Sequence, residues 1–464
     1  MINAIKKIID LKIIIIVAMI VFFIPISIDS AQYLSGVAIG DLPINIWIVF
    51  ALSLISLAIA IFLIIYKFKV YNMFGKIALC LCSLIIISNV ITTFLEPSTI
   101  ISHIYSFRLT YYVDVSTNID FAAKWMFVLQ FSLIVFFFFI ALFVAPSFVR
   151  SIDFIKYAAL AILILFALTI VYSLIFETSK YMAFLSSIFN CEASPQVLSN
   201  NSLNSFFLHK NIYALFISFV LISELYLFTV TRRKAFIVVS VFTLLYIVLT
   251  YSKSLIILTW LFSIIFFYLF NALTFKENKK NKLIIMLVVS ALLVITFVLF
   301  LTIYSINSSF KNMIDSLYLG FGTYSTRTLL WKNVMQIVTP EWIYFGRGFG
   351  ITETILPKVT LISFEESLPH EHSWFYSMLA KGGILLLVVF IVALLYISFL
   401  SYKSFRHNML LSLPFIMGEL MLFIQSFIEN NYYSIFGIAF FVILIGNFKN
   451  IEDRKEELNN ESIC

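Results

Sequence analysis

The residues with the greatest capacity for chemistry in this chain gather between positions 325 and 372. Ser325-Thr326-Arg327-Thr328-Leu329-Leu330-Trp331-Lys332-Asn333-Val334 reads as the start of a short amphipathic helix. Ser325 or Thr326 is its expected N-cap, Leu330, Val334 and Ile337 share a stripe, and Pro340 stops it. Gly346-Arg347-Gly348-Phe349-Gly350 then forms a glycine-rich turn whose amides could approach an anion closely. Glu365, Glu366, His370, Glu371 and His372 lead directly into an apolar run. At the N-terminus of a helix the dipole disfavours imidazolium, so His372 stays neutral and able to accept a proton from a hydroxyl. Glu371 pushes the other way and can fix the tautomer. Read as structure alone, His372 only caps the helix. Arg327 carries a permanent charge on a fork suited to phosphate oxygens; its plain reading is a surface arginine paired with a loop carboxylate. Arg347 has the same two readings. Lys253, at a tight turn between apolar runs, and Lys210, within His209-Lys210-Asn211, are further cations for a diphosphate, or interface anchors. His370-Glu371-His372 is not HExxH and has no third ligand in view, so no metal site is expected.

The elements that must position these groups are membrane spans. Of 464 residues, 62% are hydrophobic and 12% charged, with 52 Phe and a mean hydropathy of +1.04, far from a soluble composition. Apolar runs fall near 11–28, 44–66, 77–95, 122–145, 155–176, 206–229, 235–251, 254–273, 283–304, 373–400, 409–427 and 432–448. About twelve helices result, an all-α polytopic transmembrane bundle forming a single integral membrane domain over residues 1–464. Lys6, Lys7 and Lys12 precede the first run, and without a cleavage site ahead of the many further spans it reads as a retained signal anchor. With an even count, the connections holding both termini carry 20 of the 31 Lys and Arg, in short basic clusters such as Arg232-Arg233-Lys234. Basic residues near span ends stay cytoplasmic, so N-in/C-in is expected.

The other side then receives three long segments, near 96–121, 177–205 and 305–372, the last lying between spans nine and ten and bearing part of the site. Cytoplasmic loops are short, with no P-loop and no Rossmann fingerprint. The formal charge of +7 follows membrane topology, so no nucleic-acid partner is expected. The four cysteines offer no disulfide or metal spacing. Chemistry on the outer face lacks ATP, so its energy must arrive in an activated substrate.

A long outer loop between spans nine and ten of about twelve, with His-Ser opening span ten, resembles the O-antigen ligase and O-antigen polymerase superfamily of membrane glycosyltransferases. The ligase signature is histidine, then Asn, Ser or Gln, nine residues, Gly, two residues, Gly. Here His372-Ser373 is followed after nine residues by Gly383, while Leu386 holds the second glycine position. Upstream, Arg327, Trp331, Pro340, Gly346, Gly348 and Gly350 match the family's Arg-x-x-x-Trp, Pro and Gly-x-Gly-x-Gly, and Ser252-Lys253 stands where the family often has Ser-Arg.

The resemblance implies a metal-independent, cofactor-free helical glycosyltransferase of the bacterial cytoplasmic (inner) membrane, with its active site facing the periplasm or outside. Its donor would be an undecaprenyl-diphosphate-linked oligosaccharide. His372 and Arg327 would be catalytic, and Arg347, Lys253 and Lys210 would bind the diphosphate. The leading reading is a polysaccharide polymerase for O-antigen, capsule or exopolysaccharide, with the lipid-linked repeat as acceptor; Leu386 tilts the choice that way. The runner-up is a ligase acting on lipid A-core, and a glycolipid transporter or flippase is the reading from another class. A transporter predicts ionisable groups in mid-span, where Glu224 and Glu419 are the few candidates. No internal repeat of span groups is evident. A chain-length regulator and a flippase of the same pathway are the implied protein partners.

Overall fold

A computed structural model describes residues 99–118, 152–190, 194–205, 210–274, 323–338, 340–348, 351–364 and 372–427, with 91, 95, 207, 298, 302, 304–308 and 311 beside them. In chain order the elements are strands β1 (Thr99–Ser106) and β2 (Tyr111–Asn118), then ten helices. These are α1 (Ile152–Phe176), α2 (Thr178–Phe189), α3 (Pro195–Asn200), α4 (Lys210–Thr231), α5 (Ala235–Tyr246), α6 (Lys253–Thr274), α7 (Thr323–Ile337), α8 (Ile351–Phe364), α9 (Trp374–His407) and α10 (Met409–Ser426). They fall into two compact units, one of Met1–Ile155, Tyr324–Lys403 and Leu422–Cys464, the other of Lys156–Thr323 and Ser404–Met421.

The second unit is built around α4, which is apolar on every face and buried from Ile212 to Thr229. Small hydroxyl residues and aromatics make its contacts. The Ser218 and Thr259 hydroxyls are 2.9 Å apart, joining α4 to α6. The Phe228 ring lies 4.9 Å from Phe270, and Tyr226 lies 5.1 Å from Phe415 of α10. Thr243 of α5 donates to the Glu224 carboxylate at 2.8 Å, deep in the unit. Hydroxyl pairing of this kind is a usual means of joining helices where water is absent. A 3-10 turn, Ile247–Thr250, ends α5, and Tyr251 with φ 51° reverses the chain. The two apolar runs near 235–251 and 254–273 are therefore separate helices.

Among the described residues, five helical stretches are long and apolar enough to cross a membrane: Ala159–Phe176, Lys210–Thr231, Lys253–Leu273, Trp374–Arg406 and Met409–Ser426. With the shorter Ala235–Thr250 they match the expected spans five to eight, ten and eleven to within a few residues at most ends. The chain is a multi-pass membrane protein. Apart from single positions, expected spans one to four, nine and twelve lie outside the described residues, as do both termini.

The first unit corrects the all-helical expectation. Segment 96–121 holds a two-stranded antiparallel sheet, with Thr99 opposite Asn118 and Ser106 opposite Tyr111. Its period is two: Ile100, Ser102, Ile104 and Ser106 point inward with Val115 and Thr117, while Ile101, His103, Tyr112 and Asp114 face out. Ile100, Ile104 and Val115 enter one core with Leu330, Val334 and Ile337 of α7, Ile355, Leu356 and Val359 of α8, and Ala380 of α9. Gln336 accepts from the Tyr105 amide at 2.7 Å, and Ser363 accepts from the Arg108 amide at 2.9 Å. The hairpin thus shares one core with α7 and α8, and in the second unit Leu203 N–H donates to Leu249 O at 2.9 Å, joining residues 194–205 to the end of α5.

Candidate functional site

Helix α7 begins at Thr323, so Ser325 and Thr326 lie inside its first turn instead of capping it. The expected stripe holds: Leu330, Val334 and Ile337 are fully buried. Arg327 is half-buried in the second turn. Pro340 opens a 3-10 turn, Pro340–Trp342, and the glycine-rich turn follows.

That turn does not present its amides to solvent. Gly346 N–H donates to Trp342 O at 2.6 Å, Arg347 N–H to Ala380 O at 2.8 Å, and Gly348 N–H to Lys381 O at 3.0 Å. The reading of the turn as an anion cradle is corrected over residues 346–348; Phe349 and Gly350 lie outside the described residues. The partners explain why. Helix α9 is broken at Gly383, whose φ of 68° and ψ of −167° no helix contains. The break orphans carbonyls on its N-terminal side and amides on its C-terminal side. Arg347 and Gly348 satisfy the carbonyls, while Ile384 N–H donates to Ile343 O at 2.8 Å and Leu385 N–H to Tyr344 O at 3.3 Å. Turn and break thus form a four-bond backbone clasp.

The clasp dictates glycine. A Cβ on Gly346 would lie 2.4 Å from the Lys381 carbonyl carbon, and one on Gly383 would lie 2.3 Å from Tyr344 carbonyl atoms. Gly382 leaves room for Leu386, whose Cδ2 would be 2.2 Å from an added Cβ. Leu386, the departure from the ligase signature, is fully buried against that glycine one turn earlier.

His372 precedes α9 by two residues and adopts φ 48°, a left-handed conformation uncommon outside glycine and concentrated at functional sites. It therefore stands outside the regular helix, at its dipole-positive end. Ser373 beside it is buried. His370 and Glu371 lie outside the described residues.

Two contacts relate Arg327 to His372. Trp331, one turn after Arg327, stacks on Tyr376 of the first turn of α9, with ring centres 5.1 Å apart and planes 10° from parallel. Further along, Arg347 Nε donates to Ile337 O at 2.7 Å while its amide reaches Ala380. Trp331 thus pairs with Tyr376, and Ile337 lies near Ala380, in the same order along both helices. Helix α7 and the first leg of α9 run in the same direction, with Arg327 one turn before Trp331 and His372 one turn before Tyr376. Arg347 itself is buried, its guanidinium carbon 5.9 Å from the Trp342 ring centre.

The remaining two expected cations belong to the second unit and are described there alone. Lys210 Nζ and Lys253 Nζ lie 5.2 Å and 5.3 Å from the centre of the Tyr251 ring. Lys210 also donates to Ser199 Oγ at 2.5 Å. Among the described residues, the buried hydroxyls of Tyr251 and Ser252 have no hydrogen-bond partner. Two ammonium groups around one ring repel each other, and an anion received there would relieve the repulsion and supply acceptors. His209 lies outside the described residues.

Sequence reasoning passed over Lys381 and Gly382. Lys381 is fully buried on the first leg of α9, beside the clasp. Its signal was its place: the residue directly ahead of a Gly-Gly pair inside an apolar run. No curated protein matches the chain. Residues 238–391, from α5 through the clasped break in α9, match the family model described as O-antigen ligase, consistent with the O-antigen ligase and polymerase superfamily that the chain's motifs resemble.

Proposed function

We propose that this protein is a polysaccharide polymerase that transfers an undecaprenyl-diphosphate-linked glycan onto the next lipid-linked repeat at the outer face of the cytoplasmic membrane. The observation that carries the reading is the Trp331–Tyr376 stack, one turn from Arg327 on α7 and one turn from His372 at the head of α9. In the proposed step, the acceptor hydroxyl oxygen bonds to the anomeric carbon of the donor sugar as that carbon's bond to the diphosphate oxygen breaks. His372 takes the hydroxyl proton. The electron pair of the broken bond leaves on the diphosphate, whose growing negative charge Arg327 neutralises. Lys210 and Lys253, which belong to the second unit, keep the sequence's expectation of binding the donor's diphosphate. Direct displacement inverts the anomeric configuration and uses no metal or cofactor.

The second reading, a ligase that places the glycan on lipid A-core, has its own support in the family model's description as O-antigen ligase. One experiment separates the two. Purified protein in lipid nanodiscs is supplied with lipid-linked repeat alone. A ladder of longer products supports the polymerase, whereas product formed only after lipid A-core is added overturns it in favour of the ligase. No product under either condition, with neither substrate bound, removes both readings.

A further inference from the structure

Arg347 stands where three segments meet. Its amide donates to Ala380 O on α9 just before the break, and its Nε donates to Ile337 O at the last residue of α7. That terminal carbonyl has no partner within its own helix. Trp342 lies beside the guanidinium, and the residue is only 6% exposed. On either side, the Gly346 amide closes the turn onto Trp342 O and the Gly348 amide holds it against Lys381 O of α9.

From this anchor two arms run back in the same direction. Arg327 is ten residues before Ile337, about 15 Å at 1.5 Å per residue. Trp374 is six residues before Ala380, about 9 Å on the same rise, and His372 lies two residues beyond. The Trp331–Tyr376 stack ties the arms between anchor and tips. A change at Arg347 therefore swings both tips relative to each other, without Arg347 reaching them.

We propose that Arg347 is a positioning residue that sets the Arg327–His372 separation by linking the C-terminus of α7 to the break in α9, and that it is not a ligand of the diphosphate. The proposal rests on the assignment of Arg327 and His372 above. It replaces the sequence expectation that Arg347 is a phosphate ligand, and that expectation is the competing outcome of the test.

Glutamine discriminates the two roles, because its Nε2 occupies the place of the arginine Nε. Arg347→Gln keeps the N–H donor and loses the charge, while Arg347→Met loses both at similar length. Transfer by the purified full chain is measured over a range of lipid-diphosphate donor concentrations. A positioning role gives Arg347→Gln a kcat within about threefold of the unsubstituted protein. It gives Arg347→Met a kcat lower by about a hundredfold, the usual scale for a misplaced group, with donor KM unchanged in both. A tenfold or greater rise in donor KM in Arg347→Gln overturns the proposal, and that variant decides alone if Arg347→Met does not accumulate. A second readout needs no activity: limited proteolysis of the purified full chain within 340–350 should accelerate at least fivefold in Arg347→Met and stay unchanged in Arg347→Gln, and equal rates in all three proteins overturn the proposal. If the unsubstituted protein transfers no glycan but the proteolysis series behaves as expected, the assigned reaction fails and the linkage by Arg347 stands.

Discussion

Replacing Gly383 by alanine tests the clasp at its tightest point. The backbone at φ 68°, ψ −167° lies in a region essentially reserved for glycine and costs an L-residue about 2 kcal/mol. The new methyl would sit 2.3 Å from the Tyr344 carbonyl atoms, against an ordinary contact of at least 3.4 Å, so the 343–348 turn must retreat by about 1 Å. The atoms in the way are backbone, so no rotamer change relieves the clash. Retreat breaks or stretches the bonds from Ile384 to Ile343 and from Leu385 to Tyr344, each worth about 1 kcal/mol net. Summed, the first unit loses about 4 kcal/mol of local stability. Limited proteolysis of the purified protein in nanodiscs reads this loss: cleavage within 340–350 should accelerate by two orders of magnitude or more, with α4–α6 fragments unaffected. Glycan transfer should fall about a hundredfold, the scale of a 1 Å misplacement. Gly382→Ala is the control, since there the obstacle is the Leu386 side chain, and Leu386→Ala should restore it. Unchanged proteolysis and transfer in Gly383→Ala would refute the clasp as a structural determinant.

Further outcomes follow from the same geometry. His372→Asn, which tolerates the left-handed backbone but supplies no base, should retain the proteolytic pattern and lose at least a hundredfold in glycan transfer; transfer near the original rate would remove His372 from the mechanism. Trp331→Ala should destabilise the first unit by about 1–3 kcal/mol, less than a fully buried aromatic because its ring is only partly buried beside the core, and thermal unfolding with and without Tyr376→Ala should show the two to be non-additive. Lys210→Ala and Lys253→Ala should each raise the donor KM severalfold with kcat little changed, and inhibition of transfer by inorganic pyrophosphate should weaken in parallel. Asp114→Cys, exposed on the hairpin, should react with a membrane-impermeant maleimide from outside intact cells, and Lys234→Cys only after permeabilisation. The reverse pattern would invert the topology.

The sequence was most informative where one physical signal dominates. Long uninterrupted apolar runs placed α1, α4, α6 and α10, and the Tyr251-Ser252-Lys253 interruption divided α5 from α6 because two residues suffice for a left-handed reversal. The hairpin escaped notice because its alternation, Ile100-Ile101-Ser102-His103-Ile104, spans one short stretch in a long loop, and it forms by docking on α7 and α8, remote in sequence. The residues of the site were legible as types: Arg327, Arg347 and His372 all lie in the unit that holds the α7–α9 core. Their relations were not. That Arg347 points to a helix end ten residues before it, and that Gly346 and Gly383, 37 residues apart, face each other, depends on how the segments pack. A glycine needed for φ and one needed for close approach look the same on the page.

The break in α9 also divides labour along one apolar run. Ile384–His407 alone extends about 36 Å at 1.5 Å per residue, enough to cross a hydrocarbon layer of about 30 Å. The nine residues Trp374–Gly382 are then surplus to anchorage. They are free to join the α7–α8 core, where the buried ammonium of Lys381 escapes the penalty of a charge at mid-bilayer. Insertion into the lipid and packing against α7 are thereby delegated to separate halves of a single stretch.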